Sequence, residues 1–173
     1  MRVYRWLSLF FGAGLLPWMP GTWGTVAAIP LFYVLCHFPG IVYFPLLILL
    51  TYLSIICVDK ALPSFAPEGK LEDPSSIVID EVIGLLWCGG IIRYVGFWNP
   101  AEGFWTMTLL AFIFFRLFDV WKPWPIRQLE RKYKGGKGVV VDDVVAGIIG
   151  GFVTILFCWV YPLAAYWVWV KTH

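Results

Sequence analysis

The stretch IVYFPLLILLTYLSIICV, from Ile41 to Val58, runs for 18 residues without a charged side chain. A hydrophobic run of this length allows an α-helix to cross the hydrocarbon core of a bilayer. The charged residues Asp59 and Lys60 follow immediately. The stretch therefore predicts a membrane-spanning helix whose C-terminal end lies at a polar face.

The rest of the chain has the same character, with 60% hydrophobic and only 14% charged residues. A soluble domain of 173 residues does not carry so much apolar sequence. We expect a single domain, residues 1–173, with an all-α fold: a polytopic integral membrane helical bundle. About five spans are predicted, the first of them short and interrupted by a proline: Thr25–Phe38, Ile41–Val58, Ile77–Val95, Phe104–Trp121 and Val144–Tyr161.

The N-terminal segment places Arg2 and Arg5 before the apolar run Leu7–Leu16. No small-residue cleavage pattern follows, so we interpret the segment as retained rather than as a signal peptide. The run is too short to cross a bilayer, which predicts a partly inserted or interfacial helix.

Basic residues are distributed unevenly between the two sides of this threading. Ten lie in the N-terminal segment, the loop after Val58 and the loop after Trp121, whereas Arg93 and Lys171 lie on the other side. Cytoplasmic segments of membrane proteins are enriched in Lys and Arg. The basic side is therefore predicted to face the cytoplasm.

Carboxylates lie at the ends of the predicted spans, all on this basic side: Asp59, Asp80, Glu81, Asp119, Asp142 and Asp143. Four of them form two adjacent pairs in similar settings, IVIDEVIG (Ile77–Gly84) and VVVDDVVAG (Val139–Gly147). Helix N-capping is the alternative interpretation, but one acid in each helix would be enough for it. Because an ionised carboxylate near hydrocarbon is costly, two acidic pairs favour a metal site.

The cation expected at such a site is Mg²⁺, which prefers carboxylate oxygens and is often completed by substrate phosphate. Cysteines and histidines form no zinc-like pattern. Adjacent helical residues diverge by about 100°, so one acid of a pair can face the metal while the other lies at the edge or caps the helix. Gly84 and Gly147 are expected to let neighbouring helices approach closely. The candidate metal ligands are Asp80, Glu81, Asp119, Asp142 and Asp143.

Basic and hydroxyl side chains near these acids are candidates for binding a phosphate group. Arg116 and Asp119 share a helix face, with a simple salt bridge as the alternative. The segment Pro20–Thr25 is interpreted either as a turn with a Thr N-cap or as a phosphate cradle. In KGGKG (Lys134–Gly138), backbone N–H groups precede a predicted helix and could bind an anion. The candidate phosphate-binding residues are Thr22, Thr25, Arg116, Lys122, Arg127 and Lys137.

Four motifs resemble the phosphatidylglycerophosphatase A family: PGTWGT (Pro20–Thr25), IVIDEVIG, FRLFDVWKPWPIR (Phe115–Arg127) and GGKGVVVDDVVAG (Gly135–Gly147). The resemblance extends from Gly12 to Gly151, and FDVWKPWPIR is its most specific part. It implies a Mg²⁺-dependent lipid phosphatase of the bacterial inner membrane, which hydrolyses phosphatidylglycerophosphate to phosphatidylglycerol and phosphate. It does not assign a role to each carboxylate.

The expected reaction is metal-assisted attack of water on a lipid phosphomonoester at the cytoplasmic face. The candidate catalytic residues are Asp80, Asp119 and Asp143. Either Asp143 or Asp80 would orient or deprotonate the water, and a covalent aspartyl-phosphate is an alternative. The expected partner is a phospholipid in the bilayer, and no nucleic acid.

Two other functions could use the same acids. A cation transporter would place them at mid-span depth, whereas the threading places them at one edge. Another Mg²⁺-dependent enzyme of phospholipid synthesis, such as a CDP-alcohol phosphotransferase, would carry a long Asp-rich motif on one helix, and this motif is absent from the sequence.

Overall fold

The computed structural model describes residues 2–65 and 75–172, with side chains described except at positions 102, 131 and 162–172. All regular structure in this part of the chain is helical, which confirms the all-α prediction. The α-helices are α1 (Arg2–Ser8), α2 (Pro20–Ala27), α3 (Ile29–Leu35), α4 (Gly40–Ala61), α5 (Ile79–Gly90), α6 (Pro100–Trp121), α7 (Ile126–Lys132) and α8 (Gly136–Thr172). Two 3₁₀ turns, Ala13–Leu15 and Leu62–Ser64, and a π-helical turn, Ile91–Val95, complete them.

Within the described residues, 3 helical segments are long and apolar enough to cross a membrane by length and composition: Gly40–Ser64, Gly103–Trp121 and Gly136–Tyr161. They coincide with the second, fourth and fifth predicted spans. The first predicted span is divided between the short helices α2 and α3. The third predicted span corresponds to α5, which has 12 residues, and its π-helical extension.

Helix α8 packs against α4, α5, α6 and α7, most extensively against α5, whose residues are mostly buried. Glycines make this contact close. A Cβ at Gly147 would overlap the carbonyl oxygen of Gly84, and a Cβ at Gly84 would overlap the buried ring of Phe115. This confirms the prediction that these two glycines permit close helix approach.

The polar ends of the helices meet at one end of the bundle. Asp59, on the last turn of α4, accepts a hydrogen bond from the backbone N–H of Gly136 at the start of α8 (2.6 Å). Near the C-terminal end of α6, Arg116 lies 3.8 Å from Glu81 on the first turn of α5. The predicted clustering of the acids at one end of the bundle is therefore present in the fold.

The segment Pro20–Thr25 is helical rather than a turn. Helix α2 begins at Pro20, whose fixed φ suits the first helical position. Gly21 and Gly24 lie one turn apart and face α5: a Cβ at Gly24 would overlap the side chain of Val78. The prediction of a turn at this segment is therefore wrong, and its glycines serve close helix packing.

Candidate metal centre

Three carboxylates converge where the first turn of α5 meets the second turn of α8. Asp80 and Glu81 come from α5 and Asp143 from α8, and one oxygen of each lies within 4.8 Å of the others. Asp80 and Asp143 are buried, with 8% and 4% of their surface exposed. These residues line a cavity of about 380 Å³, whose wall also includes Met19, Gly21, Arg116 and Asp119.

The donor set of this cluster fits a hard divalent cation. Oε2 of Glu81 and Oδ2 of Asp143 are buried and accept no hydrogen bond from any described residue. Buried carboxylate oxygens in this state are normally hydrogen-bonded or bound to a metal. Three carboxylates and no sulfur or imidazole ligand favour Mg²⁺ over zinc. Asp80, Glu81 and Asp143 are therefore the residues that would hold the cation.

Arg116 connects this cluster to Asp119. Its Nη1 donates to Oδ2 of Asp119 at 2.5 Å and lies 3.8 Å from Oε1 of Glu81. The predicted shared face of Arg116 and Asp119 is confirmed, together with the salt bridge that was its alternative interpretation. Both ion pairs use Nη1, and a guanidinium has five N–H donors. Arg116 can therefore hold two acids and still donate to an anion in the cavity.

Asp142 faces away from its neighbour Asp143 and belongs to a different ion-pair group. Nζ of Lys122 donates to Asp142 at 2.7 Å and to Glu130 at 2.9 Å. Partial burial alone would lower the pKa of Lys122, but its hydrogen bonds and charge interactions with Asp142 and Glu130 raise it above the ordinary value. Lys122 thus stays charged and ties α6, α7 and α8 together.

Comparisons with known proteins give the family of the chain. A family model described as Phosphatidylglycerophosphatase A matches residues 6–158. The chain belongs to the phosphatidylglycerophosphatase A family. This confirms the resemblance and the prediction that the chain is a phosphatase. Together with the three long apolar helices, it identifies a membrane protein.

Two relatives carry the same name as the family. The chain is 35% identical over 158 residues to Phosphatidylglycerophosphatase A of Escherichia coli (strain K12), with 91% of this chain and 84% of the relative covered. It is 32% identical over 142 residues to the protein of that name from Haemophilus influenzae, with 82% and 80% covered.

A third relative carries a different name. The "Putative phosphatidylinositol-3-phosphatase" of Bacteroides thetaiotaomicron is 32% identical over 155 residues, with 87% of this chain and 90% of the relative covered. All three names describe removal of phosphate from a lipid headgroup. No solved structure matches the chain.

The structure of this family member brings some of the predicted site residues together and separates others. Asp80, Glu81, Asp119 and Asp143 line the acidic cavity, and Asp142 lines another cavity of about 330 Å³ beside α7. Of the predicted phosphate-binding residues, Arg116 lines the acidic cavity in the described part of the chain. Arg127 is exposed on α7, and Nζ of Lys137 lies 4.6 Å from the centre of the Tyr133 ring.

The Thr25 hydroxyl and the Gly136 N–H, both in segments predicted to contact an anion, have partners within the chain. The hydroxyl of Thr25 is buried and donates to the carbonyl of Gly21 within α2 (2.8 Å), while Thr22 is half-buried. In the KGGKG segment, the N–H of Gly136 donates a hydrogen bond to the carboxylate of Asp59. This N–H was predicted to bind an external anion, and a negatively charged side chain of the protein binds it instead.

Gly21 is a site residue that sequence reasoning missed. A Cβ at this position would overlap Oε1 of Glu81 and approach Nη1 of Arg116 to 3.1 Å. Its lack of a side chain lets α2 cover the acid cluster directly. The sequence signal was the spacing of Gly21 and Gly24, three residues apart in front of an apolar run, which is compatible with one face of a closely packed helix.

Proposed function

We propose that this chain uses Mg²⁺ to hydrolyse phosphatidylglycerophosphate to phosphatidylglycerol and phosphate, at the cytoplasmic face of the bacterial inner membrane. The observation that carries the proposal is the group of three carboxylates within 4.8 Å of one another beside Arg116. This group lies at the end of a bundle that contains long apolar helices. Such a position lets a headgroup reach the acids while its acyl chains stay in the bilayer.

Each group in the cavity can be given a role. Asp80, Glu81 and Asp143 would hold the cation, which when bound would polarise a phosphoryl oxygen and acidify a water molecule. Arg116 donates to the non-bridging oxygens of the phosphate, where charge redistributes during the reaction. Asp119, which lines the cavity outside the three-acid group, accepts the proton of the attacking water.

The reaction needs no reactant other than the lipid and water. The water oxygen bonds to phosphorus, and the bond between phosphorus and the glycerol oxygen breaks. Asp119 takes the water proton and returns it to the leaving oxygen, which gives the alcohol of phosphatidylglycerol and inorganic phosphate. The ion pair with Arg116 holds the Asp119 carboxylate in position beside the cavity.

Phosphate release from the purified chain in mixed micelles tests the proposal. Phosphatidylglycerophosphate should be hydrolysed with Mg²⁺ present and not after chelation by EDTA, and magnesium should restore the rate. Phosphatidic acid and phosphatidylinositol 3-phosphate complete the panel, because the Bacteroides relative is named for a phosphoinositide. A higher kcat/KM for phosphatidylinositol 3-phosphate would overturn the proposed substrate, and release that resists EDTA would overturn the metal mechanism.

A further inference from the structure

A further cavity, lined by basic and apolar residues, opens beside α1. It has a volume of about 390 Å³ and is lined by Arg2, Arg5, Trp6, Leu9 and Leu15. None of these residues lines the acidic cavity. Two guanidinium groups and an indole therefore face the same space as two leucines, so the cavity has both a cationic and an apolar part.

Contacts with α4 fix the depth of this cavity in the bundle. Sγ of Cys57 donates to the carbonyl of Tyr4 (3.3 Å), and Nζ of Lys60 donates to the Tyr4 hydroxyl (3.2 Å). Helix α1 therefore lies against the turn of α4 where the apolar span gives way to charged residues. At this level of a membrane protein, aromatic and basic side chains meet lipid headgroups.

The charge and exposure of the cavity fit an anionic lipid. Arg2 and Arg5 are exposed, and within residues 2–65 and 75–161 neither forms an ion pair with an acid. The guanidinium of Arg5 lies 5.0 Å from the centre of the Phe65 ring. Trp6 and Leu15 are 55% and 59% exposed, which leaves apolar surface beside the two cations.

We propose that this cavity binds an anionic phospholipid that is not the substrate. The phosphodiester lies against Arg2 and Arg5, whose planar guanidinium groups match phosphate oxygens, and the first part of an acyl chain lies against Leu9 and Leu15. None of the described residues in its wall carries a carboxylate, so the cavity would retain the lipid without hydrolysing it. The lipid would hold α1 against the end of α4.

Lipid binding to the full chain in detergent, measured by native mass spectrometry, tests this site without reference to activity. The probes are dihexanoyl-phosphatidylglycerol and zwitterionic dihexanoyl-phosphatidylcholine. Arg2→Gln/Arg5→Gln should weaken phosphatidylglycerol binding by at least about tenfold, because the charge-assisted contacts are lost. Arg2→Lys/Arg5→Lys should recover part of it. Lys132→Gln/Lys134→Gln, which removes the same charge outside the cavity, should stay within about twofold of the original chain.

Three results would overturn the inference. Equal loss in the Lys132→Gln/Lys134→Gln control would mean unspecific attraction to positive charge. Loss of binding in Asp80→Asn/Asp143→Asn would place the lipid in the acidic cavity. Equally tight binding of glycerol 3-phosphate, which lacks acyl chains, would mean a simple anion site.

A photoactivatable phosphatidylglycerol added to the unsubstituted chain gives an answer that does not depend on how the variants fold. It should label the segment 2–16, which contains all the described residues that line the cavity. Labelling confined to other segments would contradict the proposed site.

Discussion

The three acids of the candidate metal centre bring three negative charges close together. Their ligand oxygens lie within 4.8 Å, and Asp80 and Asp143 are buried. Like charges at this separation in a medium of low dielectric repel strongly unless a cation lies between them. Metal binding and catalysis should therefore depend on the acids, whereas the metal-free fold should not.

Substitution of these acids by the corresponding amides separates the effect on metal binding and catalysis from the effect on the stability of the fold. Asp80→Asn, Asp119→Asn and Asp143→Asn should each lower kcat/KM by at least about a hundredfold, because each removes a ligand or the proton acceptor. For Asp80→Asn and Asp143→Asn, the melting temperature without metal should hold or rise, because a repulsion is removed. Enzyme kinetics and thermal melting with and without Mg²⁺ measure both effects.

Asp59→Asn is the matched control for this series. Asp59 lies at the same end of the bundle but contacts the N–H of Gly136, and Asn caps a helix as well as Asp does. Near-normal rates are expected for Asp59→Asn. Near-normal rates in two of the three test variants would instead refute the metal assignment.

Arg116 and Arg127 allow a comparison of two arginines at the same end of the bundle. Arg116 lines the acidic cavity and pairs with Asp119, whereas Arg127 is exposed on α7. Because a lysine cannot reproduce the fork of a guanidinium, Arg116→Lys should lower kcat/KM by at least about tenfold. Arg127→Lys should stay within about twofold. Equal effects at both positions, measured in mixed micelles, would mean that Arg127 also contacts the phosphate.

For individual residues, the sequence predicts which acids are candidates for the site, but not which of them lie together in the folded protein. A carboxylate that follows or precedes an apolar run can be recognised in the sequence without knowledge of the fold. All four acids of the cavity were therefore candidates. Which neighbour Asp142 faces depends on the rotation of α8 and on the position of α7. The partner that removes it from the cluster, Lys122, lies 20 residues away in the chain.

Among the helices, the α5–α8 contact determines whether the metal centre can form. Asp80 and Glu81 are on the first turn of α5, and Asp143 is on α8, so the distance between these helices sets the distance between the acids. Gly84 and Gly147 lie about one turn further along each helix and bring the two backbones together. A change that separates the helices should therefore act on both stability and metal affinity.

Gly147→Ala tests this coupling. The added Cβ would overlap the carbonyl oxygen of Gly84, so we expect a loss of stability of about 1 to 3 kcal/mol, the range of overpacked cores. Metal affinity should fall too, because the acids move apart. Thermal melting and Mg²⁺ titration of activity measure the two effects. A loss of stability with unchanged Mg²⁺ dependence would contradict the coupling.

The helices themselves were predicted unevenly from the sequence. The three long spans were located because uninterrupted apolar runs of this length have few other interpretations. The first part of helix α2, Pro20 to Gly24, was missed because Gly and Thr have low helix propensity, and its helical form depends on packing against α5 and the acids. Tertiary contacts therefore decide the structure of the segment that covers the site.

In the whole molecule, basic and acidic side chains occupy the same end of an otherwise apolar bundle. Lys122, Asp142 and Glu130 join three helices there, and Arg116, Asp119 and Glu81 join two. This shared location could be predicted from the threading, because the loops rich in Lys and Arg are the same ones that adjoin the acids. The acidic site must therefore lie on the same side of the membrane as the basic loops.

That orientation predicts where the loop between α7 and α8 lies in the cell. Lys134 is exposed in this loop, and the basic excess around it favours the cytoplasm. A cysteine in Lys134→Cys should therefore react with a membrane-impermeant thiol reagent only after the cells are opened. Cys36, Cys57 and Cys88 are buried, and the half-buried Cys158 is replaced by Ser in every labelling variant to keep the background low. Val95→Cys, at an exposed position after α5, is the matched control for the opposite side and should react in intact cells.

Labelling of the Lys134→Cys chain in intact cells would place the acid cluster outside the cytoplasm, where a substrate made inside the cell could not reach it.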